Sequence, residues 1–349
     1  MMKALVLHAV GDLRFEQVQK PVPGPNEVLM KVKAVGICGS DIPRVLEKGT
    51  YSFPLIPGHE FAGQIVEAGP GADVALVGRK AAVFPLIPCL KCDSCQIGQY
   101  AQCEDYDYLG SRRNGAFAEY VVVPVPNLVL APLEDVTYEE LALCEPTCIA
   151  MHAVRLANPD ILDTVAVFGC GPIGVLIGLI AKNTRCCKVL MIDVDQSKVD
   201  FAKQMGFEHA VNSLKVDLPT WIMEQTNGVG VDIALEAAGA SASLESCLLA
   251  TRKFGRVIAV GTPHKAMTLS IQAYEAILRR QLTLTGTWNS VYSNLPKNEW
   301  KTVAELIASK TIDVTPLVSH RVRLEDGVAP IQMMAQRQTF FNKVMYVMD

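Results

Sequence analysis

The chain has 349 residues, with 32 Lys plus Arg against 36 Asp plus Glu, and half of it is apolar. That balance excludes an intrinsically disordered chain, and a formal charge of -4 supplies no cationic surface for nucleic acid. The length allows two domains with full cores, and eleven Cys in so long a chain read as reduced thiols, some on metal, in a cytoplasmic protein.

In chain order, the first residues carry one Lys and only a short apolar run before Asp12, Arg14 and Glu16, so no signal peptide is expected. β-type runs at 4–7, 14–18, 28–35 and 118–123, punctuated by Pro21, Pro23, Gly24, Pro25 and Asn26, predict an irregular, mostly antiparallel β domain. Near Thr137 the texture changes. A helix is expected over 139–155. Strands at 164–168, 188–193, 209–212, 231–236, 256–260 and 282–286 then alternate with helices at 172–183, 197–205, 218–226, 243–252 and 273–280. Six strands with helices between them predict a doubly wound parallel sheet of the Rossmann type. Helices near 299–309 and 325–335 and a strand at 343–347 close the chain. The uncharged run 165–181 is not read as a membrane span, because Gly169, Gly171, Pro172 and Gly174 break it into strand, turn and helix.

Gly169-Cys170-Gly171-Pro172-Ile173-Gly174 is G-x-G-x-x-G between an apolar strand and an apolar helix, the context in which it binds a dinucleotide. The glycines permit a tight turn, close approach of backbone to a pyrophosphate, and helix-to-sheet packing, with the phosphates at the helix N-terminus. Asp193 ends the next strand, 19 residues after Gly174. A carboxylate there accepts the ribose hydroxyls of NAD and repels the extra phosphate of NADP; no Arg follows within 194–198, and Lys198 is a further ribose contact.

Cys89, Cys92, Cys95 and Cys103 fall within 15 residues, a spacing that closes a four-thiolate shell around a structural zinc. Acidic Asp93, Glu104, Asp105 and Asp107 argue against a nucleic-acid module. The other thiols, Cys144, Cys148, Cys170, Cys186, Cys187 and Cys247, read as small packing residues, with Cys186 and Cys187 semi-exposed. Cys38 and His59 stand 21 residues apart, with Glu145 far downstream. Spacing alone leaves these three open between a second metal site and ordinary core residues.

Gly58-His59-Glu60-x-x-Gly63-x(5)-Gly69-x-x-Ala72, the Cys38-Gly39-Ser40-Asp41 segment, the four-Cys lobe and the glycine motif occur here in one order. In this the whole chain resembles the zinc-dependent medium-chain alcohol dehydrogenases, and segments 38–44, 110–120 and 286–289 resemble their polyol branch. The resemblance implies a GroES-like catalytic domain at 1–150 and 288–349, with the zinc lobe at about 88–104, and an NAD-binding Rossmann domain at 151–287. It implies two zinc ions per chain. Cys38, His59 and Glu145 would hold the catalytic one, Glu60 would replace or exchange with Glu145, Asp41 would orient His59, and Ser40 would relay the alcohol proton. Where many relatives carry a titrating His, this chain has Pro43, which cannot carry the proton onward.

The expected reaction is hydride transfer from a secondary alcohol of a polyol or polyol phosphate to NAD; an unphosphorylated polyol, butanediol or threonine is the alternative substrate. Arg44 and Arg113 are candidates for a substrate phosphate and Trp288 for the edge of the substrate site. A non-catalytic NADPH-binding protein of the same fold is disfavoured by the presence of Cys38, His59 and Glu145 together. A homodimer or homotetramer is expected, with the edge strand at 282–286 available for pairing.

Overall fold

A computed structural model describes residues 1–185 and 188–349. The expectation for Cys186 and Cys187 lies outside the described residues. The chain divides into two compact units, residues 1–148 with 291–349, and residues 149–290.

The first unit is built on a seven-stranded sheet. Val318–Val322, Lys343–Val347, Glu27–Ile37, Glu60–Ala68, Lys80–Val83 and Leu128–Leu130 lie side by side, and Tyr120–Pro124 pairs with Glu27–Ile37. All these pairings are antiparallel except Val318–Val322 with Lys343–Val347. A separate hairpin, Met2–Ala9 with Asp12–Val18, is joined to the rest of the unit by backbone hydrogen bonds from Leu5 to Phe117 and from Leu7 to Leu55. Tyr346 and Phe117 meet edge to face inside the sheet's core, and Trp300 packs edge-on against Phe84, which stacks on Tyr292. Such aromatic pairs fix orientation beyond the area they bury.

The second unit is a six-stranded parallel sheet in the order His209–Asn212, Lys188–Asp193, Thr164–Phe168, Val231–Glu236, Thr251–Ala259, Thr283–Gly286. The order reverses at Thr164–Phe168. Ligands bind at the carboxyl end of such a reversal point, where the glycine loop begins. Val165 to Phe168 and Val189 to Ile192 are buried without alternation, as strands covered on both faces must be. The expected fold, a GroES-like β domain with a doubly wound parallel sheet, is the fold observed.

Three expectations shift locally. The single helix over 139–155 is two, Tyr138–Ala142 and Cys144–Ala157. A capping box between Thr137 and Glu140 starts the first. Pro146 has no N–H to give to Ala142, so the second starts anew around Cys144. The helix over 325–335 is a short turn, Leu324–Asp326, then Ala329–Gln336. The strand at 256–260 begins earlier, at Thr251. Asp232 accepts from the Arg252 Nε at its start and from the Thr164 backbone, tying those residues to neighbouring strands.

Candidate active site

In the first unit, Glu27–Ile37 and Glu60–Ala68 run antiparallel with Gly36 opposite Glu60. Cys38, just past one strand, and His59, just before the other, are thereby brought together. Ligating atoms of Cys38, His59 and Glu60 all lie within 4.8 Å of one another. His59 is 4% exposed, and its Nδ1 is buried with no hydrogen-bond partner. Burial pushes the Cys38 thiol up to about 11, with Glu60 pushing the same way. Glu145 is buried at the start of the helix Cys144–Ala157, outside that 4.8 Å group. Burial raises its carboxyl to about 8; His59 pulls it down, while Glu60 and Cys38 push it up. Two acidic groups kept protonated by burial, beside an unpaired imidazole nitrogen, form a donor set that fits a divalent cation.

The remaining expected residues lie as follows. Asp41 is fully buried, but its Oδ1 is 3.7 Å from His59 Nδ1, beyond hydrogen-bond distance. Its carboxylate is taken instead by the Cys38 backbone N–H, at 3.0 Å, and by the Arg44 guanidinium. Arg44 is therefore half of an ion pair, with its side chain 16% exposed. Arg113 reaches outward to Asp107 at 3.3 Å and Glu27 at 3.8 Å. Ser40 is exposed and hydrogen-bonds the Cys38 thiol. Trp288 belongs to the second unit and is 58% exposed, so it is not a packing residue.

Two residues of this site were not singled out in the sequence. Lys343 is buried, and its Nζ lies 2.6 Å from Glu60 Oε2. The Tyr108 ring meets His59 edge to face at 5.8 Å, and burial, with Glu145 and Cys38 acting the same way, pushes its hydroxyl well up, against the pull of Arg44. A Lys opening a strand whose next three residues are all buried was a signal for the first. Nothing in the sequence separates Tyr108 from the neighbouring Tyr106.

The four-Cys lobe is assembled. Cys89, Cys92, Cys95 and Cys103 bring their sulfurs within 4.8 Å of one another. Cys89 Sγ is met by the backbone N–H groups of Lys91 and Cys92, which hold its thiol down at about 6. Cys103 Sγ accepts from the Cys89 N–H at 3.2 Å. Burial and the neighbouring sulfurs push the Cys95 thiol up to about 12, and the four-sulfur cage, with one thiol already lowered, fits a closed, structural zinc site.

In the second unit, the glycine loop leaves the strand Thr164–Phe168 and Pro172 opens the helix Pro172–Arg185. A Cβ at Gly174 would lie 1.8 Å from Gly169 O, whereas one at Gly171 would meet nothing within 4 Å. Gly174 is thus needed for packing, and Gly171 faces open space. Asp193 Oδ2 accepts from the Cys170 N–H at 2.6 Å and its Oδ1 from the Asp195 N–H at 2.9 Å, which fixes the carboxylate beside the loop. Lys198 lies close enough to lower the Cys170 thiol against the larger effect of burial.

Residues 24–133 match the family described as Alcohol dehydrogenase GroES-like domain, and residues 172–309 match Zinc-binding dehydrogenase. The chain belongs to the zinc-dependent medium-chain alcohol dehydrogenase family. It is 33% identical over 336 residues to galactitol 1-phosphate 5-dehydrogenase of Escherichia coli K12, covering 96% of this chain and 97% of that one. Sorbitol dehydrogenase of Bacillus subtilis 168 is 32% identical over 351 residues, covering 99% and 96%. The crystal structure of the Escherichia coli galactitol-1-phosphate dehydrogenase superposes with a TM-score of 0.92 at 32% identity, covering 99% and 100%. Two further structural neighbours hold dinucleotides. A zinc-binding dehydrogenase of Sinorhizobium meliloti 1021 binds NADP (28% identity, TM-score 0.90, 100% and 99% covered). An alcohol dehydrogenase of Escherichia coli CFT073 is complexed with NADH (27%, 0.89, 99% and 99%). As a member of this family the chain is an oxidoreductase, and none of its described helices is long and apolar enough to cross a membrane.

The two glycines separate fold from binding. Gly171→Ala is expected to leave the melting temperature unchanged and to weaken dinucleotide binding at least about tenfold, because the backbone can no longer approach the pyrophosphate. Gly174→Ala is expected to lower the melting temperature by several degrees. Thermal unfolding and a fluorescence titration with NADH check both.

Proposed function

We propose that this protein is an NAD-dependent zinc dehydrogenase that oxidises a secondary alcohol of a polyol phosphate, with galactitol 1-phosphate the favoured substrate. The observation that carries the reading is the buried donor cluster of Cys38, His59 and two carboxylates with Tyr108 and Arg44 beside it. Similarity to the galactitol 1-phosphate enzyme over nearly the whole chain supports the substrate.

A zinc ion held by Cys38, His59 and a glutamate would act as a Lewis acid, lowering an alcohol's pKa strongly, toward the value of about 7 known for the best bound waters. Ser40, exposed and hydrogen-bonded to Cys38, takes the alcohol proton. Pro43 cannot pass it on, so the onward route runs through solvent or ribose hydroxyls. The Tyr108 hydroxyl donates to a substrate oxygen and holds the carbinol in line. The Gly169–Gly174 loop would hold NAD, which would supply the hydride acceptor, and the fixed Asp193 carboxylate would take its ribose hydroxyls and exclude a 2′-phosphate. Cys89, Cys92, Cys95 and Cys103 would hold the second, structural zinc as thiolates. The protein works in the cytoplasm, where its free thiols stay reduced.

Arg44 remains the candidate for the phosphate, since Asp41 uses only part of its five-donor fork. One observation favours a second reading. Arg44 is already paired, and Arg113 is engaged by Asp107 and Glu27, which suits an unphosphorylated polyol. Initial rates with galactitol 1-phosphate, sorbitol, 2,3-butanediol and threonine, each with NAD and NADP, decide. The expected outcome is at least about 100-fold higher kcat/KM for the phosphate, with NAD. Equal rates for sorbitol would reject the phosphate.

Metal uptake should also depend on pH. In the metal-free protein Cys38 titrates at about 11 and Glu145 at about 8. Below pH 8 both hold protons that a cation must displace, so zinc affinity rises about 100-fold per pH unit there, and about tenfold per unit above it. Calorimetry in buffers of different ionisation enthalpy counts the protons.

A homo-oligomer is the proposed assembly. Thr283–Gly286 pairs on one side only and carries Leu284, 44% exposed, at its open edge. Leu284→Lys is expected to reduce the molar mass measured by light scattering to that of one chain.

A further inference from the structure

We propose that Lys343 is a positioning residue that tethers the Glu60 carboxylate beside the metal position, leaving Glu145 as the resident third ligand. The inference rests on the metal-site reading above and assigns a residue that reading does not use.

Three adjacent strands build the tether. Lys343–Val347 and Glu60–Ala68 flank Glu27–Ile37, with Val344 opposite Ile37 and Glu60 opposite Gly36. Lys343 Nζ is 2.6 Å from Glu60 Oε2 and 3.5 Å from Ile37 O, and both charged side chains are almost wholly buried. Gly36 supplies the room. A Cβ there would stand 2.3 Å from Glu60 Oε2 and 3.2 Å from Lys343 Cδ. The same Glu60 carboxylate comes within 4.8 Å of the Cys38 and His59 ligating atoms. Glu60 is therefore close enough to ligate and already neutralised by a cation. Glu145, buried but outside that 4.8 Å group, is near enough for His59, Glu60 and Cys38 to shift its carboxyl, and among the described residues no hydrogen bond or ion pair holds it. A divalent cation gains more from the carboxylate that has no other partner than from one that must first leave a buried ammonium.

The test reads metal content and the visible spectrum of the cobalt-substituted protein, alongside thermal unfolding. Wild type is expected to bind two equivalents, one of them replaceable by cobalt. Glu60→Gln, which can still accept from Lys343, is expected to keep both metals and the wild-type cobalt spectrum. Glu145→Gln is expected to lose the replaceable metal to a chelator about 100-fold faster. Glu145→Gln with Lys343→Met is expected to recover retention to within about tenfold of wild type, with a shifted cobalt spectrum, because Glu60 is freed to ligate. If folded Glu60→Gln loses the metal while Glu145→Gln retains it, the proposal is overturned. It is likewise overturned if the double variant folds and recovers nothing. A wild-type protein that binds a single equivalent would instead reject the catalytic metal site itself.

Discussion

The crowding of acidic donors at one buried place is the constraint on which the first unit depends. Cys38, His59, Glu60 and Glu145 face one another away from solvent, and among the described residues Lys343 is the ammonium buried with them. Isolated carboxylates cannot remain ionised in such surroundings, so they hold protons, pair with a cation or bind metal. This molecule uses the first two devices on different groups. Burial raises Glu145 and Cys38, Lys343 neutralises Glu60, and Arg44 neutralises the fully buried Asp41. Removing one partner of a buried pair of this kind costs about 3–5 kcal/mol, because the other charge is left uncompensated.

Strand register is what makes that crowding possible. Glu60 opposite Gly36 puts a carboxylate over a position without a side chain. The next strand over, Lys343–Val347, comes from the far end of the chain, so the site closes only when the C-terminal segment has paired. The metal cluster is thus coupled to long-range topology. The four-Cys lobe, by contrast, draws its donors from a single loop.

That difference explains what could be read from the sequence. The Cys lobe and the glycine loop are local, and their ligands are spaced by backbone geometry over fewer than about 20 residues. Parallel strands such as Lys188–Asp193 were legible because both faces are buried and their apolar runs end at glycine turns. Cys38 and His59 were legible as residues, but not the pairing of Glu60 with Lys343 or of Asp41 with Arg44. The first joins strands 283 residues apart. The second depends on which side of a three-residue helix each side chain leaves. Pro146, visible in the sequence, still misled over 139–155, since a proline in a first helical turn is well tolerated and the break falls just before it.

Nine of the eleven Cys lie among the described residues, and their surroundings separate them physically. Four sulfurs are gathered in the lobe, where backbone N–H groups hold Cys89 down at about 6 while burial and the neighbouring sulfurs raise Cys95 to about 12. Cys144 and Cys247 are buried and held protonated, so they behave as small apolar side chains. Cys38 falls between these classes. Its thiol is raised by burial as theirs are, yet it stands beside an unpaired imidazole nitrogen and two carboxylates. A thiol meant only for packing gains nothing from such neighbours, and a thiolate without a cation would be expelled by them. The two sites therefore differ in what prepares them. The lobe already lowers Cys89 by backbone hydrogen bonds before any ion arrives, while Cys95 is raised to about 12, whereas Cys38 and Glu145 are both raised by burial.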